Sequence, residues 1–208
     1  MEMNVGGIKP PYPSKNLEGK RIYLASNSPR RRELLGMIVP EFEVLHGKDV
    51  DESYSPAMPV TEVPVYLSQK KSAAYTAEMA PEDVIISADT VVLINGEILG
   101  KPADEAEACA MLRLLSGHTH TVVTGVTVAW MERGEKLSES FSEHTDVTFG
   151  ELSDEEIREY VHRYKPLDKA GAYGIQEWTG AAIEGIRGCF YNVMGLPIHR
   201  LYGHLKAL

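Results

Sequence analysis

The sequence predicts an α/β domain built on a mixed, twisted sheet flanked by helices, with two lobes around a central cleft. Three observations predict it. Segments of helical period alternate with segments of strand period. Two of the strands are joined directly by a tight hairpin turn, so the sheet mixes strand directions. The 208 residues, 43% hydrophobic and 25% charged, suit one globular unit near the upper size of a single domain.

The folded part is expected to open at Arg21, where Ile22, Tyr23, Leu24 and Ala25 make a short apolar strand running into Ser26-Asn27-Ser28-Pro29. Ser28 is a good N-cap and Pro29 suits the first helical position; Leu34, Leu35 and Ile38 stripe a helix that ends near Pro40. A second helix is expected over 61–79, a strand over 84–94, the turn pair Asn95-Gly96, and a returning strand over 97–99. Residues 104–115 read as helix with Gly117 as its stop, 118–130 as a Thr- and Val-rich strand, and 138–149 as the strand returning beside it. Ser153 and Glu156 form a capping box for a helix to about His162, residues 165–176 form an irregular loop, and Pro197 starts the last helix. Residues 1–20, with Gly6, Gly7, Pro10, Pro11 and Pro13, read as a flexible leader ahead of one domain over 21–208.

Lys and Arg total 21 against 30 Asp and Glu, a formal charge of −9. A body of that sign has no general attraction for nucleic acid or anionic membrane, so a polyanionic ligand must find a local positive patch. Cys109 and Cys189 are far apart and show no CxxC spacing, which fits a reducing cytoplasm better than a disulfide framework. No secretory or membrane-spanning apolar run occurs. Neither a P-loop, a GxGxxG fingerprint, a GxSxG elbow nor an HExxH pair is present.

Two constellations carry chemistry. Ser26, Ser28, Arg30, Arg31 and Arg32 gather at a helix start, where free N–H groups and the dipole favour an anion. Residues about 100° apart cannot all face one ligand, so Arg30 and Arg31 border the inner face and Arg32 points away. Asp89, followed by Thr90, interrupts the apolar runs 84–86 and 91–94; a carboxylate there needs a metal, a cation or several donors unless the strand is an edge turned to water. Asp89 is thus the leading candidate for metal ligand or general base, with Asp49, Asp51 and Glu52 as a second acidic group. Lys71 falls on the apolar stripe of the second helix with Lys70 beside it, and Lys101 and Lys169 sit in loops that can fix a side chain; each alone is more commonly a surface lysine. His118 and His120 have the spacing to share one strand face, though no third zinc ligand accompanies them.

Together these segments resemble the Maf family of nucleoside triphosphate pyrophosphatases. The run Leu24-Ala25-Ser26-Asn27-Ser28-Pro29-Arg30-Arg31-Arg32 is similar to the family signature. Ala88-Asp89-Thr90, Gly100-Lys101-Pro102, Ser116-Gly117-His118, Asp168-Lys169-Ala170-Gly171-Ala172-Tyr173-Gly174-Ile175-Gln176 and Gly195-Leu196-Pro197 follow in family order. The resemblance implies the Maf/ITPase-like fold and cleavage of a nucleoside triphosphate between its α and β phosphates, assisted by Mg²⁺ or Mn²⁺. It implies Asp89 as proton acceptor, Asp89 and Glu52 at the metal, and Ser26, Arg30, Arg31, Lys71, Lys101 and Lys169 on the triphosphate. The Ala172–Gln176 run resembles the branch acting on dTTP and UTP, with Arg30, Thr90 and Gln176 tuning base choice. By the same likeness the protein is expected in the cytoplasm, as a homodimer, with an influence on cell division. The rival readings are a non-catalytic nucleotide-binding regulator of septum formation and a 7-methyl-GTP pyrophosphatase.

Overall fold

The computed structural model describes residues 17–208, so most of the leader expected over 1–20 lies outside the described residues. Leu17 is already in the main apolar core, 2% exposed, and its carbonyl accepts the Lys20 N–H. The elements that follow are β1 (Arg21–Ala25), α1 (Pro29–Gly36), β2 (Glu43–Val44), α2 (Val63–Thr76), β3 (Asp83–Ile94), β4 (Glu97–Leu99), α3 (Glu105–Leu115), β5 (Thr119–Glu132), β6 (Glu135–Phe149), α4 (Asp154–Tyr164), β7 (Ile183–Arg187), α5 (Phe190–Met194) and α6 (Ile198–Ala207). Two short 3₁₀ turns, Ala170–Ala172 and Trp178–Ala182, interrupt the segment between α4 and β7.

The sheet is mixed, as expected. Its order is β2-β1-β3-β5-β6-β7 with β4 against β3; β2, β1 and β3 run parallel and every other pairing is antiparallel. The sequence-derived elements occur with small shifts at their ends. The Ser28 cap accepts the Arg31 N–H, the Ser153–Glu156 capping box is formed, and the Asn95-Gly96 turn has positive φ at both residues. Three elements were not expected from sequence: β2, β7 and α5.

Strand alternation divides β3 between two layers. Val84, Ile86, Ala88, Val92 and Ile94 join the main core with Leu24, Leu34, Leu112 and Leu201. Val91 and Leu93 join Val63, Leu67 and Val123 in a second core beneath α2. A polar seam ties α2 down: the Ser87 hydroxyl donates to the Ser68 carbonyl at 2.7 Å, and the Ser68 and Thr127 hydroxyls lie 2.8 Å apart. At Gly125 the approach of α2 is so close that a Cβ would stand 2.3 Å from the backbone of Pro64 and Val65, so only glycine permits this packing.

One feature of the sheet positions the site. Pairing of β3 with β1 ends at Ala25 opposite Ser87, and pairing with β4 starts at Val92. Between them, residues 88–91 have β5 on one side and no strand on the other.

Candidate active site

The gap beside β3 opens into a cleft of about 690 Å³. All ten site residues named from sequence line it: Ser26, Arg30 and Arg31 from the β1–α1 turn; Glu52 from the loop before α2; Lys71 from α2; Asp89 and Thr90 from β3; and Lys101, Lys169 and Gln176 from two later loops. Lys48, Asp49 and Asp168 also line it, giving six basic against four acidic side chains in a protein whose formal charge is −9. The cleft is therefore the positive patch that an anionic ligand requires.

Asp89 faces α2, on which Lys71 follows Pro64 by about two turns and so reaches the far end of the gap. The Lys71 ammonium lies 2.5 Å from Asp89 Oδ1 and 2.9 Å from Glu52 Oε1. This resolves the cost of placing a carboxylate in β3: Asp89 is 9% exposed and is compensated by a half-buried cation. Burial pushes the Glu52 carboxyl up, but the hydrogen bond from Lys71 and the charges of Lys71, Lys101 and Arg31 outweigh it and hold Glu52 below the ordinary carboxylate range. Of the acidic group before α2, Asp51 is drawn elsewhere. Its carboxylate accepts from Ser53 and Lys70, which lowers its pKa to about 2.

Arg31, expected on the triphosphate, is also tied to the protein on several sides. Its Nη1 donates to the Ala88 carbonyl at 2.8 Å and to Ser26 Oγ at 3.3 Å, its Nη2 to Thr90 Oγ1 at 2.9 Å, and its Nε to the Gly195 carbonyl at 2.9 Å. The Ala88 carbonyl lies in the stretch where β3 lacks a strand neighbour, so the guanidinium stands in for the missing strand. Most of its five N–H groups are used by the protein. Burial lowers the Arg31 pKa, with Asp89 acting against that and Arg30 with it. Thr90 points to the opposite face from Asp89 and spends its hydroxyl on Arg31 and Thr124.

On the far wall the Gly171 N–H donates to the Gly100 carbonyl at 3.0 Å, joining the loops that carry Lys169 and Lys101. Gly171 has positive φ, and a Cβ there would lie 3.0 Å from Val92. Asp168 accepts from Arg30 and from Lys169, each at 2.8 Å. Lys169 is also 3.1 Å from Glu177, whose second oxygen accepts the Tyr160 hydroxyl at 2.5 Å. Sequence reasoning did not single out Asp168, Glu177 or Tyr160 as site residues. Asp168 is signalled by its place beside Lys169; the other two carry no local signal, because their contact crosses from α4 to a loop.

The two histidines do not share a face. His118 precedes β5, is exposed and is 2.7 Å from the Ser116 carbonyl, whereas His120 is buried with its Nε2 2.7 Å from the Tyr173 hydroxyl. The turn at Gly117, closed by its bond to Gly150, ends the strand's alternation before His118.

No group of three His, Cys, Asp or Glu suited to a metal occurs among the described residues. Asp89 and Glu52, both within reach of one ammonium, still form a hard oxygen pair open to the cleft. That fits a cation such as Mg²⁺, which takes one or two carboxylates and completes its shell with phosphate and water.

The family model described as Maf-like protein matches residues 21–208. The chain is 49% identical over 195 residues to a dTTP/UTP pyrophosphatase of Phocaeicola vulgatus, covering 93% of this chain and 99% of that protein. It is 50% identical over 196 residues to one of Porphyromonas gingivalis, covering 92% and 96%. It is 48% identical over 186 residues to one of Carboxydothermus hydrogenoformans, covering 89% and 97%.

Proposed function

The chain belongs to the Maf-like protein family, and from that premise we propose that its cleft hydrolyses dTTP and UTP to the monophosphate and pyrophosphate. The observation that carries this reading is the convergence of Arg30, Lys71, Lys101 and Lys169 on the gap where Asp89 and Glu52 stand. Such a pairing of cations with a carboxylate is what in-line attack on a phosphoryl group demands.

The triphosphate lies against Lys101, Lys169 and Arg30, which neutralise its oxygens and the charge that grows on the departing pyrophosphate. Arg31, braced by Thr90, Ser26 and two carbonyls, keeps β3 at a fixed distance from the phosphate-binding turn. Asp89 takes the proton of the water that attacks the α phosphorus. Lys71 keeps Asp89 and Glu52 aligned until substrate arrives, and it holds Glu52 ionised. Asp89 and Glu52 would hold a divalent cation, which when bound supplies positive charge against an α or β phosphoryl oxygen. Gln176, exposed on the rim of the cleft, has the amide donors and acceptor to read a pyrimidine edge, with Arg30, which also lines the cleft, in the same role.

No helix among the described residues is long and apolar enough to cross a membrane. Both cysteines are free, which supports a cytoplasmic location. The test is turnover of dTTP and UTP with Mg²⁺ or Mn²⁺, resolving pyrophosphate from orthophosphate. Pyrophosphate release that Asp89→Asn abolishes is the expected result, and orthophosphate alone contradicts the reading. Competition among dTTP, UTP, CTP and 7-methyl-GTP checks the base.

A further inference from the structure

We propose that Glu177, braced by Tyr160, is a positioning residue for this reaction: it fixes the Lys169 ammonium at one point in the cleft. The inference rests on the triphosphate reading of the cleft.

A lysine ends in a compact charge on a long, flexible stem, so it does not place its own charge. The Lys169 side chain is nonetheless 10% exposed and held by two carboxylates, Asp168 at 2.8 Å and Glu177 at 3.1 Å. The two anions differ. Asp168 is 57% exposed, shared with Arg30, and lines the cleft where phosphate oxygens compete for the same cations. Glu177 is 19% exposed and locked from behind: Tyr160, itself buried, donates to Glu177 Oε2 and accepts the Gly174 N–H at 3.1 Å. A Cβ on Gly174 would lie 2.8 Å from the Glu177 carboxyl carbon, so the backbone of the Lys169 loop closes over the carboxylate. Burial first, and Glu177 second, push the Tyr160 hydroxyl well above its ordinary pKa, which keeps it a permanent donor. α4 is thereby linked through Tyr160 and Glu177 to the one buried lysine on the far wall, the part of the cleft that meets the phosphate chain.

A residue that positions a charge without touching substrate should alter kcat more than KM, because the charge remains in the cleft but loses its place. Glu177→Gln is expected to lower kcat about tenfold or more and to leave KM for dTTP within about twofold. Tyr160→Phe, which keeps the ion pair but releases its brace, should act in the same direction to a smaller extent. Neither change should add to the loss caused by Lys169→Met, since both act through that ammonium. Acylation of surface amines, followed by mass spectrometry, gives a readout independent of turnover: Lys169 should react about tenfold faster in Glu177→Gln, with Lys101 unchanged. Thermal melting establishes that each variant is folded, and should Glu177→Gln fail to fold, Tyr160→Phe carries the same cycle. Unchanged kcat in a folded variant, additivity with Lys169→Met, or unchanged acylation of Lys169 overturns the proposal. Absence of pyrophosphate release by the unaltered protein overturns the reading of function instead, and the acylation rates then decide the positioning role alone.

Discussion

Lys71 stands between two carboxylates, and what it does is best seen by removing it. In Lys71→Met, Asp89 and Glu52 lose the cation that offsets their burial, and the Glu52 carboxyl, which that cation holds down, is expected to bind a proton more readily. The acid limb of the kcat/KM profile should therefore move to higher pH than in the unaltered protein, and the plateau should fall by about 10²-fold or more. A profile unmoved in position would mean that Glu52 does not titrate in the reaction. Asp89→Asn should lower turnover by about 10²- to 10⁴-fold while a titration with dTTP and no turnover still shows binding. Much at this scale was legible in the sequence, because a carboxylate inside an apolar strand or a lysine on an apolar stripe is costly without a partner. What sequence could not tell was who partners whom. Arg31 looks like a phosphate ligand in the motif, and it is also a strut for the unpaired edge of β3; Asp49, Asp51 and Glu52 look alike, yet Glu52 is the one paired with Lys71, which also holds Asp89, while Asp51 goes to Lys70.

The elements sort by the same logic of partners. Helices α1, α3 and α4 announce themselves through caps and the β3–β4 hairpin through its turn, all interactions within a few residues of chain. β2 has two residues and exists only because β1 offers it a parallel register; β7 is an edge strand that is mostly exposed and carries Gly185, so neither has a pattern to read. α5 has five residues and is held by side chains distant in sequence, with Asn192 Nδ2 donating to the Val122 carbonyl and Thr145 Oγ1. The least legible contact is also the most demanding. Gly125→Ala must displace α2, since the added methyl meets backbone that has no rotamer to relieve it. It should cost about 3 kcal/mol or more, read by chemical denaturation, and in any folded fraction should impair turnover by withdrawing Lys71 from Asp89. Ala substitution at Gly185, where nothing lies within 4 Å, is the control and should leave both unchanged.

The molecule as a whole carries a buried histidine whose protonation opposes the fold. His120 packs against Phe149 and Tyr173, and burial lowers its pKa to about 4 from 6.5, with Asp146 acting weakly the other way. The folded state thus prefers the neutral ring. Its contribution is complete above pH 6.5, where the unfolded chain is also neutral, and declines as pH falls from 6.5 towards 4, by about 3 kcal/mol in total. Urea midpoints measured across that range should fall more steeply for the unaltered protein than for His120→Gln.

The cleft occupies a place in β3 where a sheet would ordinarily have another strand, with Arg31 filling only part of it. An anion seated there acts as a keystone: it adds a further tie among the opening turn of the chain, the middle strand and the late loop of Lys169, segments otherwise joined there by Arg31 and by the Arg30–Asp168 pair. Holding the molecule shut and turning over its substrate thus draw on the same atoms. Inorganic pyrophosphate at about a hundred times its dissociation constant should protect the protein against urea by about 2.7 kcal/mol, and that protection should shrink in any variant that loses a cation from the gap.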